Sequence, residues 1–470
     1  MRRLIFALIC ASAARAQLGR TGAEWVTAGS DAQRSHSIPN DPKIGPGTMS
    51  GFQFLYKTKL EGALTPAILM DRYIGYRGFR SFAFVAGLSN TVWAIDSDLN
   101  RVEWTNRLPI SAGDCAGVSV SRATGSAYPA PATFGGLGGR SAPAHSDVGE
   151  SGEGAVTLEP ALRSIEAAKA AAARPAPARA PSAPIPNVIY VVPGDGMLHQ
   201  LYISNGIEPE KAIPFVPANS RAEGLIVMGH AAWITTHACG GESAGAWRLD
   251  LATRKVASWR VSGDIAGSEG PAFGPDGTIY VTTTRGEMAA LDPETMAVKW
   301  RYTGGGEFVS SPVVFPFRGK TVVAAAAKDG RFHLVSGGSA LAVSEAHGMS
   351  AGAVATWQSL DGTRWLVAAI PNSIVAWKVL DREGQTVLEP AWRSKEMSTP
   401  LAPIILSGVV FAAAGSSLYA LDGITGKPLW NSGPAITSVG RIGGLSGGAS
   451  QIYLSTENGT FYAFGFPMEH

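Results

Sequence analysis

The side chains best suited to chemistry lie close together in residues 229–242. This stretch contains His230, His237, Cys239 and Glu242, all of them residue types that bind metal ions. His237 and Cys239 would share one face of a strand, because side chains alternate between the two faces. No standard zinc spacing is present, however, and we predict no metal site. The chain also contains no Gly-x-Ser-x-Gly, phosphate-loop or zinc-protease helix motif. The sequence therefore identifies no catalytic residue.

A repeated unit occupies most of the chain around these residues. In each copy a strand-like run precedes an aspartate, and a tryptophan follows 8 to 11 residues later. Five copies are clear: Asp96 with Trp104, Asp250 with Trp259, Asp292 with Trp300, Asp381 with Trp392, and Asp422 with Trp430. The aspartate would open a turn by accepting backbone N–H groups ahead of it, and Gly426 would supply a positive φ. The tryptophan would lie on an outer strand and fill the space between neighbouring sheets.

The spacing of the aspartates predicts the number of copies. Asp250 and Asp292 are 42 residues apart, Asp381 and Asp422 are 41 apart, and Asp292 and Asp381 are 89 apart, or two periods. Degenerate copies fit at 197–204 and 332–336, and one period beyond Asp422 falls at Phe464. Repeats of this length form sheets that cannot bury both faces alone and must pack side by side. We therefore expect an all-β, eight-bladed β-propeller of four-stranded antiparallel blades.

The last copy has no outer tryptophan strand of its own. Residues 52–59 have the pattern of such a strand and stand alone before the first complete copy. A strand from the other terminus would complete the last blade and close the ring, which leaves no exposed sheet edges. We expect this N-terminal strand to pair with the strand that ends near Phe464.

The repeat resembles that of the PQQ-like (pyrroloquinoline-quinone-type) β-propeller family, whose unit is approximately Ala-x-Asp-x-x-Thr-Gly-Lys-x-x-Trp. Residues 420–430, Ala-Leu-Asp-Gly-Ile-Thr-Gly-Lys-Pro-Leu-Trp, match nearly every position, and residues 290–300 depart at the glycine and lysine. The resemblance implies the fold and leaves the activity open. Its members include quinoprotein dehydrogenases, non-enzymatic outer-membrane assembly lipoproteins and many exported proteins.

Features of the dehydrogenases are missing from this chain. Many of them carry two adjacent cysteines beside the cofactor, and some carry a Cys-x-x-Cys-His haem attachment motif; neither occurs here. Their calcium-binding Glu, Asn and Asp match no positions in this sequence. We therefore expect a non-catalytic binding or scaffold protein without a cofactor. The alternative is a PQQ-dependent quinoprotein dehydrogenase with an atypical site that holds PQQ and calcium.

Three segments interrupt or precede the repeats. Residues 1–16 have a basic start, an apolar run and small residues before Gln17, a pattern typical of a cleaved signal peptide. Residues 17–470 would then form a single propeller domain. Within its second blade, residues 122–186 are rich in Ala and Pro and form an insertion, which we interpret as a tolerated surface loop or, alternatively, a partner-binding arm.

Export also bears on the cysteines. Cys115 and Cys239 are the two that remain after signal cleavage, and an oxidising compartment permits a disulfide between them. In the expected topology both lie at the same end of neighbouring blades, opposite the insertion. We predict a Cys115–Cys239 bond, with two separate buried thiols as the alternative.

Charge and hydropathy limit the partners. The whole chain has a formal charge of +2 and its first 16 residues carry three arginines, so the mature chain is 2 − 3 = −1. Such a chain has no basic field for holding nucleic acid. No stretch after the signal is apolar and long enough to be a transmembrane segment. We expect a monomer in the periplasm or outside the cell, with an envelope protein as its partner.

Overall fold

The computed structural model describes residues 24–75, 78–109, 115, 117–124, 187–239, 244–304, 306–347, 352–436 and 442–467. These residues form β-strands and one short 3-10 helix, Met49–Gly51. The first ten strands are β1 (Ser37–Ile38), β2 (Gln53–Lys59), β3 (Ile68–Gly75), β4 (Gly78–Ala86), β5 (Thr91–Asp96), β6 (Arg101–Arg107), β7 (Ser119–Thr124), β8 (Val188–Val192), β9 (Met197–Tyr202) and β10 (Ile213–Pro214).

The next twelve are β11 (Arg221–Met228), β12 (Ala231–His237), β13 (Gly245–Asp250), β14 (Val256–Arg260), β15 (Ala272–Phe273), β16 (Ile279–Thr282), β17 (Met288–Leu291), β18 (Val298–Tyr302), β19 (Val313–Phe317), β20 (Lys320–Ala326), β21 (Phe332–Ser336) and β22 (Ser339–Val343). The last eleven are β23 (Val354–Gln358), β24 (Arg364–Ile370), β25 (Ser373–Arg382), β26 (Gln385–Arg393), β27 (Ile404–Leu406), β28 (Val409–Ala414), β29 (Ser417–Asp422), β30 (Pro428–Asn431), β31 (Ile442–Gly448), β32 (Gln451–Thr456) and β33 (Thr460–Gly465).

Hydrogen bonding arranges these strands in groups of four consecutive antiparallel strands. The groups are β3–β6, β7–β10, β11–β14, β15–β18, β19–β22, β23–β26 and β27–β30, and the last strands, β31–β33, form a sheet with β2. A short parallel pairing between β7 and β11 joins two of these groups, and β1 pairs in parallel with β27. The all-β class expected from the sequence is confirmed.

The last sheet takes its fourth strand from near the N-terminus. β2 pairs antiparallel with β33, with Phe54 opposite Phe464 and Lys59 opposite Thr460. Residues 53–59 therefore occupy the outer position of this sheet, which the sequence predicts for residues 52–59.

Apolar cores lie between successive groups and explain the burial pattern along the strands. The middle strands are mostly buried, and all five residues of β8 are buried and apolar or aromatic. Outer strands such as β18 alternate between exposed and half-buried residues. One core joins β4 and β5 of the first group to β7–β9 of the second, with Phe84, Val120 and Ile189 almost fully buried. Because neighbouring groups share such a core, they cannot be separated without exposing apolar surface to water.

The repeat aspartates form the turns before the outer strands. Asp96, Asp250, Asp292 and Asp422 each accept backbone N–H bonds from the second and third residues ahead, at 2.8–3.2 Å. The fourth residue ahead has a positive φ in each turn: 51° at Asn100, 59° at Arg254, 60° at Met296 and 68° at Gly426. Asp381 differs, because β25 continues past it and its carboxylate accepts from the backbone N–H of Gly384, three residues ahead, at 3.2 Å.

The repeat tryptophans lie on the outer strands and pack toward the following sheet. Trp104 donates its indole N–H to Ile203 O at 2.7 Å, and Trp392 donates to Gly423 O at 2.9 Å. The Trp259 ring is buried among residues of β16, and the Trp430 ring contacts Phe464. Trp300 packs against the core shared by β16 and β20.

Some predictions fall beyond the described residues. The expected signal peptide, residues 1–16, lies outside them, as does the insertion from residue 125 to 186. Its first three residues, 122–124, instead belong to β7, because the strand is extended by pairing with β11 and by a bond from Arg122 N–H to Val26 O. The described residues belong to one of two units of the chain, 1–128 with 184–470; the other unit, 129–183, is outside them. Within the described part, no helix is long and apolar enough to cross a membrane.

Candidate functional site

The described residues begin with a segment, Glu24–Asp41, that crosses the inner strand of one group after another. We call it the N-terminal segment. Its carbonyl oxygens accept N–H bonds from successive inner strands: Trp25 from Leu69, Val26 from Arg122, Ala32 from Phe273, Gln33 from Val314, Ser35 from Thr356, and His36 from Ile405. Thr27 donates its hydroxyl to Leu225 O in β11, and the Asp41 carboxylate accepts from Ser450 in the turn after β31. The segment therefore bonds to every strand group in chain order.

Arg34 is the central side chain of this segment. It is 1% exposed, and its guanidinium donates to Pro271 O at 2.9 Å, Gly224 O at 2.8 Å and Thr27 Oγ1 at 2.8 Å, and also to Ala28 O. All four acceptors are neutral, so the arginine links the segment to β11 and to the residue before β15 through backbone groups. Burial lowers the pKa of Arg34 to about 10, which leaves it charged at neutral pH.

A cavity of about 370 Å³ lies beside the N-terminal segment at the inner ends of the strands. Residues at or just before β3, β7, β11, β15, β23, β27 and β31 line it, together with Ala28, Gly29 and His36 of the segment. A second cavity of about 280 Å³ adjoins it and shares Arg221, Glu223, Ser268 and Glu269 with its lining. We call the larger one the central cavity and treat it as the candidate binding site, since concave sites where several elements converge are the usual place for ligands.

Two carboxylates of the central cavity differ in their partners. Glu223 is paired with Arg221, at 2.7 Å, and with His237, at 3.1 Å. Glu269 lies in the loop before β15, where its backbone N–H donates to Ser311 Oγ. Its carboxylate has no hydrogen-bond or ion-pair partner among the described residues. Burial raises the pKa of Glu269 to about 7; the positive charge of Arg34 opposes this and the negative charge of Glu223 adds to it.

The stretch that first suggested chemistry lies at the edge of this site. His237 is held between Glu223 and Asp264, with its Nδ1 3.2 Å from Asp264 Oδ1. Burial lowers its pKa, but the hydrogen bonds to Asp264 and Glu223 outweigh burial and raise it to about 9. His230 points elsewhere, with a 61% exposed side chain 3.8 Å from Asp250. Glu242 lies outside the described residues, and among those described no group of three or more His, Cys, Asp or Glu could hold a metal ion.

Cys115 and Cys239 form a disulfide bond in the structure, with their Cα atoms 5.9 Å apart. Cys115 precedes β7 and donates its N–H to the Asn219 side chain, and Cys239 follows β12 two residues after His237. The bond therefore links two neighbouring strand groups close to the residues that line the cavities.

Sequence reasoning missed the N-terminal segment and the two glutamates. Residues 24–41 have no periodicity and belong to no repeat, so nothing in them indicates that they lie against the inner strands. Glu223 and Glu269 are 46 positions apart, and only the packing of β11 against the loop before β15 brings them to one cavity.

The groups of four antiparallel strands pack against one another through shared apolar cores, which is typical of an all-β protein of the propeller class. Comparison with known proteins agrees. Residues 241–465 match the model of the family described as outer membrane protein assembly factor BamB. The resemblance to the PQQ-like β-propeller repeat family that the repeats predict is confirmed over these residues. The search of curated proteins found no match to the chain.

Solved structures of two dehydrogenases and of BamB are similar to this chain. Quinohemoprotein alcohol dehydrogenase from Comamonas testosteroni is 14% identical with a TM-score of 0.59, over 98% of this chain and 82% of that chain. BamB from Moraxella catarrhalis is 14% identical with a TM-score of 0.53, over 89% and 99%. A europium-containing methanol dehydrogenase is 11% identical with a TM-score of 0.55, over 96% and 99%. At these identities the likeness establishes the fold and not the activity.

The described lining of the central cavity does not fit PQQ. PQQ is a flat, tricyclic molecule with three carboxylates, which would need an aromatic or other flat surface and several cations. The described residues of the lining include no Phe, Tyr or Trp, and they present Glu223, Glu269 and Glu457 against one arginine, Arg221, which is already paired with Glu223. We therefore derive no chemistry through a quinone at this site.

Proposed function

We propose that this chain is an exported, non-catalytic propeller of the cell envelope that acts as a binding or scaffold protein. The observation that carries this proposal is the composition of the central cavity, whose acidic and non-aromatic lining is unsuited to a quinone. In addition, the buried guanidinium of Arg34 donates hydrogen bonds to four neutral acceptors that hold the N-terminal segment in place. That arrangement serves structure rather than a reaction.

The finer architecture belongs to the same proposal. We propose eight blades closed into a ring, with β2 as the outer strand of the last blade. One apolar core contains Phe411 and Ala413 of β28, Leu454 of β32 and Val85 of β4, which supports packing of the last sheet between its two neighbours. Gly443 supports it too, because a Cβ there would lie 2.6 Å from Leu64 O, just before β3.

Export is supported by the disulfide. Such bonds persist in oxidising compartments and are rare in the reducing cytosol. The likeness to BamB, described as an outer membrane protein assembly factor, favours an envelope protein as the partner and the periplasm as the location. We propose that the chain is a monomer before it meets that partner.

Reconstitution with PQQ tests the non-catalytic role directly. The purified protein is incubated with PQQ and calcium and then desalted, with a quinoprotein alcohol dehydrogenase as the positive control. We expect no retained quinone absorbance and no reduction of an electron-accepting dye with alcohols or sugars. Stoichiometric retention of PQQ together with dye reduction would overturn the proposal in favour of an atypical quinoprotein dehydrogenase.

A further inference from the structure

Glu269 is an acid in a concave site whose counter-charge, Arg34, acts only from beyond ion-pair distance. Glu269 lines both cavities, and among the described residues its carboxylate makes no hydrogen bond or ion pair. Glu223 beside it is already balanced by Arg221 and His237. A partly buried carboxylate without such a partner is costly to ionise, because desolvation disfavours the charged form. A cation in the cavity would form an ion pair with this carboxylate.

His36 offers a second, independent polar group at the same cavity. It is 4% exposed, it lines the central cavity, and its Nε2 has no hydrogen-bond partner in the part of the chain that the structure describes. Burial lowers the pKa of His36 to about 4, so the ring is neutral at physiological pH and one of its nitrogens is a hydrogen-bond acceptor. A buried polar atom without a partner is uncommon in folded proteins and calls for a ligand or water to satisfy it.

The chemistry of the lining narrows the class of cation. The buried groups of the lining that have no partner among the described residues are one carboxylate, Glu269, and one imidazole, His36; the other unpaired glutamate, Glu457, is exposed. These groups are too few for a resident metal ion, in keeping with the absence of any three-ligand cluster among the described residues. A quaternary ammonium ion is bound by aromatic cages, and the described residues of the lining include no Phe, Tyr or Trp. A primary ammonium group fits better, since its three N–H donors suit a carboxylate, an imidazole nitrogen and a carbonyl. The volume of about 370 Å³ accommodates a small organic molecule.

We propose that the central cavity binds a small organic molecule through a primary ammonium group, with the Glu269 carboxylate as its counter-ion and His36 as a hydrogen-bond acceptor. This inference rests on the proposed binding role and names the class of ligand for it. Ligand binding requires Glu269 to be ionised. Affinity therefore increases as the pH rises through the pKa of that group, about 7, and falls below it.

Isothermal titration with 1,5-diaminopentane as the probe tests the proposal. Pentane-1,5-diol has the same length without charge, glutarate has the opposite charge, and calcium chloride supplies a metal cation. We expect saturable binding of the diamine alone, several-fold tighter at pH 8 than at pH 6, because the ionised fraction of a group with a pKa near 7 rises about tenfold between them. Binding of glutarate, absence of diamine binding, or calcium binding that competes with the diamine would each overturn the proposal.

Two variants give the test a matched control. Glu269→Gln keeps the shape of the side chain and removes its charge, and we expect diamine affinity to fall at least tenfold. Glu210→Gln changes an exposed glutamate outside both cavities and should bind the diamine as the wild type does. The melting temperature of Glu269→Gln should equal or exceed that of the wild type, since a poorly solvated acid is removed. Equal affinity in the two variants would refute the assigned role of Glu269.

The result of the diamine titration can be distinguished from that of the PQQ reconstitution. Retention of PQQ in the reconstitution experiment would contradict the non-catalytic role whether or not the diamine binds. A failed diamine titration with no PQQ retention would remove the ligand class and leave the scaffold role in place.

Discussion

The repeat turns and the N-terminal segment are held together in opposite ways. At Asp422 the carboxylate accepts from Ile424 and Thr425, two and three positions away. In the N-terminal segment, Arg34 donates to residues 190 and 237 positions away, and Asp41 donates its N–H to Ser407, 366 positions away. The turns therefore form from neighbouring residues, whereas the segment has no binding surface until the strand groups are assembled.

This difference changes what each part does for stability. A repeat turn is one of several similar copies, and the loss of one leaves the others in place. The N-terminal segment occurs once and bonds to every strand group, so damage to it affects the whole assembly. We expect substitutions in the segment to be more destabilising than equivalent substitutions in a repeat.

The largest expected effect is that of Arg34→Met. The substitution keeps much of the apolar stem but leaves three carbonyls and a hydroxyl without their donor in a buried site. Each buried group left unsatisfied costs about 1–3 kcal/mol, and partial relaxation should bring the total loss to about 3–5 kcal/mol. The measurement is the urea midpoint. Arg254→Met, at an exposed arginine, is the control and should shift it little. A loss below about 1 kcal/mol for Arg34→Met would show that the segment is dispensable.

A smaller effect should separate two repeat aspartates. Asp422→Ala removes the acceptor of two backbone N–H bonds and the Thr425 hydroxyl bond, and we expect a loss of about 1–2 kcal/mol. Asp381→Ala removes a single, longer backbone bond and a distant contact with Arg318, so the loss should be about half as large or less. Thermal or urea unfolding of both variants measures the difference. Equal losses would mean that the bonds of the turn contribute little beyond its backbone conformation.

The smallest expected effect is an increase in stability. Arg254 is exposed and adopts a φ of 59°, where a residue with a Cβ is strained, while the equivalent position in the last clear repeat is Gly426. Arg254→Gly should raise stability by up to about 0.5 kcal/mol, because relief of the strain slightly exceeds the extra entropy of glycine in the unfolded chain. Thermal unfolding measures this, with Arg260→Gly in the regular strand β14 as a destabilising control. A clear loss on Arg254→Gly would show that its side chain makes a useful contact.

Much of the strand pattern could be predicted from the sequence. The degenerate copies expected at 197–204 and 332–336 correspond to β9 and β21, and the isolated strand at 52–59 corresponds to β2 beside β33. These elements have alternating or wholly apolar patterns that repeat at a nearly constant interval. The bounds of the insertion were predicted less well: residues 122–124, assigned to it from the sequence, belong to β7, because the end of that strand is decided by contacts with β11 and Val26.

The candidate site could not be predicted in the same way. Arg34 and His36 lie in a polar stretch that has no motif, and Glu269 lies in an ordinary loop. Their burial depends on chain segments that are hundreds of residues apart. A charged residue in a polar stretch is usually solvated, and sequence reasoning has no local signal to suggest otherwise.

By itself, the sequence determined the all-β class, the positions of the repeat turns and the outer tryptophans, because these depend on short-range patterns of apolar and turn residues. Tertiary structure alone decided that Glu24–Asp41 lies across the inner strands, that Glu223 and Glu269 share a cavity, and that Arg34 is buried on neutral acceptors. The physical reason is the range of the interactions. Turn bonds and strand alternation act over a few residues, whereas desolvation and ion pairing depend on every group that packing brings near, however distant in the chain.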